Sequence, residues 1–171
     1  DAIIEIKEFF NNCRDQVALE IQICNQGAEP LPANVPVALY WENPTQVLTN
    51  AFHTFIVTES LAVSACTTIV TPEFTVPAQE INAFAVVNDD GQQTLPYILD
   101  DQENGGNFPI NDIEECDYTN NLDQVNFFVG RNSSQSLAVQ ICEGESFTID
   151  GMQYDTTGRY THTTTNVYGC D

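Results

Sequence analysis

Basic residues are almost missing from this chain. The chain has 4 Lys and Arg residues among its 171 residues, against 25 Asp and Glu residues. No Lys or Arg lies between Arg14 and Arg131. The formal net charge of -21 repels nucleic acid phosphates and anionic lipid headgroups, so we expect neither as a partner. Divalent cations are the partners that such a charge attracts, because they relieve the repulsion between neighbouring carboxylates.

Long apolar runs and catalytic motifs are also missing. No apolar run approaches the roughly 20 residues of a transmembrane helix, so we expect no membrane insertion. The two histidines, His53 and His162, lie far apart in the sequence, and no zinc-type spacing, nucleophile elbow or phosphate loop occurs. Two carboxylates could still act in glycoside hydrolysis, but nothing indicates a deep cleft. We expect no enzyme, and we expect both histidines to be surface residues of strands.

What the chain does contain is short runs of alternating apolar residues, separated by Pro, Gly and Asn. This period-two pattern is typical of half-buried strands, and no stretch has a helical period. The alternation in residues 17–23 and 35–41 gives two apolar faces that can meet in a core, with Trp41 as a core aromatic. The sequence predicts an all-β sandwich with strands at residues 4–10, 17–24, 35–41, 51–57, 66–74, 81–88 and 122–129.

Residues 131–171 have a different composition, rich in Thr and Tyr. The pattern predicts further strands at 137–142, 146–149 and 159–167, with Asp150-Gly151 as a hairpin turn. We therefore divide the chain into a sandwich over 1–130 and a small hairpin module over 131–171. A module of this size buries little on its own, so we expect it to pack on the sandwich or to be completed by another segment.

Two parts of the sequence resemble known bacterial families. Residues 111–121, NDIEECDYTNN, resemble the closing motif of CARDB-like domains, and residues 24–27 and 87–91 look like other parts of the same domains. These are adhesion-related modules, and the resemblance implies a seven-stranded immunoglobulin-like or fibronectin III-like sandwich over residues 1–130. Residues 141–171, with ICEGE at the start and GCD at the end, look like a short repeat of giant surface proteins in gliding and marine bacteria.

In that short repeat the GCD is normally followed by a strand of alternating aliphatic residues. The first residues of this chain, with Ile3, Ile4 and Ile6, have the composition of such a strand. The resemblance thus implies a head-to-tail arrangement in which the N-terminal strand of one unit completes the hairpin module of a neighbouring copy. The alternative is that these isoleucines belong to the first strand of their own sandwich.

The 6 cysteines indicate disulfides and an extracellular location. Cys13 and Cys24 lie at opposite ends of one predicted strand, too far apart to pair. A sandwich of the type that the resemblance implies brings Cys24 next to Cys66, which leaves Cys13 for Cys116. Cys142 and Cys170 flank the small module, and pairing them would stabilise it by about 3–4 kcal/mol.

An acidic connection runs from residue 88 to residue 121, far longer than an ordinary hairpin loop, and it carries no basic residue. Its oxygen-bearing side chains suit calcium, although the match of residues 100–111 to an EF-hand loop is poor. The alternative is a solvated acidic surface that serves solubility. The candidate calcium ligands are Asp89, Asp90, Asp100, Asp101, Asp112 and Asp117.

These patterns predict a structural repeat or subunit of an extracellular bacterial adhesin or surface filament, stiffened by disulfides and calcium and linked head to tail through its N-terminal strand. The alternative function is a calcium-dependent adhesin module whose acidic connection binds a surface glycan. Two modification sites are also predicted, an N-glycan acceptor at Asn132 and an O-glycan acceptor at Thr156 in a short Asp-Thr motif.

Overall fold

The alternating runs form antiparallel strands in the computed structural model, which describes residues 1–92, 94–99, 113–167 and 169–170. Within these ranges every regular element is a strand, and no helix that could cross a membrane occurs in them. The strands are β1 (Ala2–Asn11), β2 (Gln16–Asn25), β3 (Val35–Tyr40), β4 (His53–Val57), β5 (Cys66–Val70), β6 (Phe74–Thr75), β7 (Glu80–Val87), β8 (Leu122–Phe128), β9 (Phe147–Ile149) and β10 (Met152–Tyr154).

Two sheets share one hydrophobic core. The first has the order β1-β2-β5, with β6 pairing the other end of β2, and the second has the order β4-β3-β7-β8. Side chains that alternate along β1 and β2 meet those of β3, β7 and β8, which is the arrangement that the period-two pattern predicted. The strand residues of this core are Ala2, Ile4, Ile6, Val17, Leu19, Ile21, Ile23, Val35, Val37, Leu39, Val57, Ile81, Ala83, Ala85, Val87 and Phe127.

The predicted strand over residues 66–74 is divided into β5 and β6. Between them Thr71 uses its side chain for pairing, since Leu19 N donates to Thr71 Oγ1 at 2.9 Å. Pro72 follows and has no backbone N–H to continue the ladder. Trp41 is half-buried against the core and stacks on Phe52 with ring centroids 3.8 Å apart, which confirms it as a core aromatic.

The second sheet is covered on its outer face as well. Tyr97, from the start of the acidic connection, packs there with Tyr40, Phe84 and Val86 in a second buried cluster. This covering explains why β7 is apolar at successive positions instead of alternating. The acidic connection therefore begins by folding back over the sheet.

The small module contains one short hairpin, in which β9 pairs with β10. Its turn residues Asp150 and Gly151 have φ values of 46° and 80°, the type I′ geometry that the Asp-Gly pair predicted. The predicted strands at 137–142 and 159–167 are wrong, because those residues form no ladder. Leu137 is 63% exposed and Val167 is 91% exposed, so these stretches find no surface to bury against.

Candidate linkage site

The start of β1 is built into the chain's own core. β1 pairs antiparallel with β2 from Ala2 to Asn11, and Ile4 and Ile6 are 3% and 8% exposed. Ile3 points to the other face and is half-buried. Of the two alternatives left open by the sequence, this chain adopts the one in which its N-terminal strand belongs to its own sheet.

The outer edge of β1 is covered by carboxylates. Ala2 N donates to Glu115 Oε2 at 2.5 Å, and Ile6 N donates to Asp123 Oδ2 at 2.7 Å. Asp123 lies in β8 of the other sheet, so these hydrogen bonds join the two sheets along one side. They occupy backbone donors that an edge strand would otherwise offer to another strand.

Glu115 also organises the chain that precedes β8. Its Oε1 accepts hydrogen bonds from Asn88 Nδ2 and Asn121 Nδ2, each at 2.8 Å. Both asparagines are fully buried, and Asn88 has a φ of 64°, which Asn tolerates better than most residues. Sequence reasoning treated the acids of this segment as metal ligands and overlooked Glu115. The sequence signal for Glu115 was the pair Asn88 and Asn121 at the ends of apolar strands, because buried side-chain amides require hydrogen-bond partners.

We expect Glu115→Gln to lower the free energy of unfolding by about 2 kcal/mol, because an amide replaces a carboxylate that accepts three hydrogen bonds. Urea unfolding monitored by tryptophan fluorescence measures this change. The matched control is Glu114→Gln, an exposed neighbour for which we expect a change below about 0.5 kcal/mol. Equal losses in the two variants would contradict the anchoring role of Glu115.

A groove of about 260 Å³ opens beside the start of β1. It is lined by residues 27–32 and 113–116, and Asp1 lies at its wall. Gln26 N donates to Asp1 O at 2.7 Å, and a Cβ at Gly27 would lie 2.4 Å from Asp1 N. Only glycine therefore fits at position 27, and the backbone that leads into β1 is held closely at this point.

The C-terminal segment is attached at the opposite end of β1. A disulfide joins Cys13, in the turn after β1, to Cys170, with the Cα atoms 5.7 Å apart. Arg131 forms a β-bridge with Arg14 and an ion pair with Asp15, and Asn166 Nδ2 donates to Arg131 O at 2.8 Å. The turn between β1 and β2, the exit from β8 and residues 166–170 thus meet at one place.

The cysteine pairing differs in part from the prediction. The predicted Cys24–Cys66 disulfide is present, with the two residues directly opposite each other in the β2 and β5 register. The predicted pairs Cys142–Cys170 and Cys13–Cys116 are wrong, since Cys170 is bonded to Cys13. Cys116 and Cys142 are exposed free thiols. The reason is that β8 leads the chain past the turn after β1, which brings the end of the module to Cys13.

The described calcium candidates accept hydrogen bonds from other groups of the chain. Asp89 is fully buried and accepts hydrogen bonds from Tyr40 OH, Tyr97 OH and Gly91 N, each at 2.8 Å. Asp90 accepts from Gln92 N at 2.9 Å, and Asp117 accepts from Thr119 N at 2.8 Å. Asp100, Asp101 and Asp112 lie outside the described residues. The described part of the chain contains no group of three or more acidic, His or Cys side chains that could hold a metal.

Asp89 has a structural role that the sequence did not indicate. It ties the acidic connection, through Tyr97, to Tyr40 in β3. Burial raises the pKa of Asp89, although the hydrogen bonds from Gly91 and the two tyrosines act in the opposite direction. Burial also raises the pKa values of both tyrosines, which keeps their hydroxyl groups protonated as donors.

The raised pKa of Asp89 predicts a pH dependence of stability. The native state binds this proton more tightly than the unfolded state, so the contribution is fully present below the unfolded value of 3.8 and declines as pH rises from there towards the raised value. We expect Asp89→Asn to remove a slope of up to about 1.4 kcal/mol per pH unit in that window. Urea unfolding of both proteins across the acidic range measures it.

Asp117→Asn serves as the control of opposite sign. The hydrogen bonds from Thr119 lower the pKa of Asp117, so its contribution is lost as pH falls. If the free energy of unfolding of the Asp89→Asn variant kept the wild-type slope against pH, the assignment of this slope to Asp89 would be contradicted.

The remaining predicted residues lie at the surface or against aromatic rings. The predicted glycan acceptors Asn132 and Thr156 are exposed, and Thr156 Oγ1 lies 2.7 Å from Tyr160 OH. His162 is 3.2 Å from Asp150 Oδ2. His53 lies half-buried beside Phe74, where burial lowers its pKa.

Comparison with known proteins gave no relative. No protein-family model matches the chain, and neither the curated proteins nor the solved structures contain a significant match to it.

Proposed function

We propose that this chain is a structural, non-enzymatic unit of an extracellular bacterial adhesin or surface filament. The observation that carries the proposal is the Cys13–Cys170 disulfide, which fastens the C-terminal segment to the end of β1. A covalent bond between distant parts of the chain resists separation of the module from the sheets, as a unit in an extended surface structure requires. The second disulfide, Cys24–Cys66, reinforces the pairing of β2 with β5.

The strand order supports a CARDB-like sandwich of the immunoglobulin or fibronectin III type. A sheet of β1, β2 and β5 faces a sheet of β4, β3, β7 and β8, and sequential strands on opposite sheets are joined as in such sandwiches. Disulfides persist in oxidising compartments, which supports an extracellular location.

Head-to-tail linkage through the N-terminal strand is the third part of the proposal. Because Ile4 and Ile6 lie in their own core, we place the linkage at the start of β1 and not in an exchange of the whole strand. The groove beside Asp1, lined by residues 27–32 and 113–116, is adjacent to that point. The exposed hairpin of β9 and β10 offers the complementary surface, since a two-stranded ribbon is barely stable alone.

Small-angle X-ray scattering of three units in tandem tests the proposal. We expect a stiff rod whose length increases in proportion to the number of units, because defined contacts fix each unit on the next. The matched control has a flexible Gly-Ser linker inserted between the units, and it should give a broad distribution of shapes. Indistinguishable scattering from the two tandems would contradict the head-to-tail contact.

Calcium is proposed as a stabilising ion on the grounds of composition. The chain carries 25 acidic residues against 4 basic ones, and Asp100, Asp101 and Asp112 lie in its acidic connection. We expect millimolar calcium to raise the midpoint of thermal unfolding by about 5–10 °C, since an ion that binds only the native state stabilises it. Sodium chloride at equal ionic strength is the control.

A variant with Asp100→Asn, Asp101→Asn and Asp112→Asn should lose the calcium response, whereas Asp90→Asn with Asp117→Asn should keep it. Equal midpoints in calcium and in sodium chloride would eliminate the calcium site and leave a solvated acidic surface.

A further inference from the structure

The Cys13–Cys170 disulfide determines which residues carry a pull applied across residues 1–170. Force that enters at Asp1 runs along β1 to Cys13, crosses the disulfide to Cys170 and leaves there. Residues 14–169 form a closed loop whose two ends the bond holds together. Strands β2 to β10 lie inside this loop and therefore bear no tension along the chain.

The part that does bear the tension is already extended. β1 covers Ala2–Asn11, and Cys13 follows after one further residue. A strand rises about 3.3 Å per residue, and a chain pulled straight reaches about 3.6 Å per residue at most. Straightening this segment, including the irregularity between Ile6 and Glu8, adds less than about 1 nm.

We propose that β1 and the Cys13–Cys170 disulfide together form a tether of nearly fixed length that carries tensile load past the two sheets. The presence of tension in the cell rests on the proposed function. The load path depends only on the position of the disulfide and on the extended conformation of β1.

The contacts of β1 keep the sheets attached to this tether. One edge of β1 pairs with β2, and the other edge donates to Glu115 and Asp123. Ala2, Ile4 and Ile6 reach into the core. A pull along β1 leaves these contacts in place, because it separates none of the groups that form them.

Single-molecule force spectroscopy of one oxidised unit between two handle domains tests the proposal. We expect no unfolding event that lengthens the wild-type unit by more than about 1 nm before the handles unfold. The variant with Cys13→Ser and Cys170→Ser should unfold in events totalling about 40 nm, because only the loop closed by Cys24–Cys66 stays protected. A variant with Cys24→Ser and Cys66→Ser is the matched control, and it should show no event, since that disulfide lies inside the closed loop.

Lengthening of tens of nanometres in the oxidised wild-type unit would overturn the proposal. A value of about 30 nm would assign the protecting bond to Cys142 and Cys170 instead. If the Cys13→Ser and Cys170→Ser variant does not fold, a thiol reductant added to the wild-type unit at constant force gives the same comparison, and lengthening must begin only after reduction.

The pulling experiment and the scattering experiment distinguish failure of this proposal from failure of the proposed function. The pulling experiment uses one unit, so its outcome does not depend on contacts between units. Flexible tandems in the scattering experiment would contradict the head-to-tail arrangement and leave the load path unchanged.

Discussion

Replacing Cys13 and Cys170 together by serine should lower the free energy of unfolding by about 3–5 kcal/mol, the largest effect that we expect from any pair of substitutions here. The two residues are separated by 157 positions, so the disulfide removes a large amount of chain entropy from the unfolded state. Its loss also releases the module, whose residues bury little against the sheets. Guanidinium unfolding of the oxidised proteins measures the difference.

The matched control replaces the free cysteines Cys116 and Cys142 by serine. Both are exposed, so we expect a change below about 0.5 kcal/mol. Similar losses in the two variants would indicate that the module is closed by a Cys142–Cys170 bond, because each variant removes one partner of that bond. Peptide mapping of the non-reduced protein identifies the bonded pairs directly.

Ile4→Ala should cost about 2–5 kcal/mol of stability, because Ile4 is 3% exposed and its removal leaves a cavity between the two sheets. This variant examines whether the N-terminal strand belongs to its own core in solution. Thermal and urea unfolding of a single unit measure the loss.

Ile3→Ala is the matched control in the same strand. Ile3 lies on the opposite face and is half-buried, so less apolar surface is lost and we expect a cost below about 1.5 kcal/mol. Similar small costs for both variants in isolated units would indicate that β1 does not occupy its own sheet. The pairing of β1 with β2 and the burial of its side chains in the core would then be contradicted.

The alternation of apolar and polar residues predicted most of the strands, because each of these strands buries one face. β1, β2 and β3 follow the predicted runs closely, since every second side chain enters the same core. The outer covering of the second sheet was not predicted, because the apolar residues of β7 do not indicate what lies on their second face. Tyr97 comes from a segment that composition marked as acidic, and its burial depends on tertiary contacts.

The contacts of the candidate linkage site were harder to predict from the sequence than the strands were. The Cys24–Cys66 pair was predicted from the strand arrangement that the resemblance implies, and the β2 and β5 register places the two residues side by side. The partner of Cys13 depends on where the chain goes after β8, and no local pattern encodes that route. Asp89 was predicted as a calcium ligand, and Glu115 was not singled out. Whether a carboxylate binds a cation or accepts hydrogen bonds from buried amides and hydroxyls depends on residues distant in sequence.

The carboxylates along β1 also bear on crowding if, as proposed, many copies of this chain stand side by side on a surface. An uncovered edge strand in one chain can pair with the same strand in its neighbour and start an aggregate. Glu115 and Asp123 occupy two of the amides that such pairing would use. They would also bring negative charge towards any approaching copy, since each copy carries a formal charge of -21. Dense packing on a surface is therefore compatible with chains that remain separate from one another along this edge.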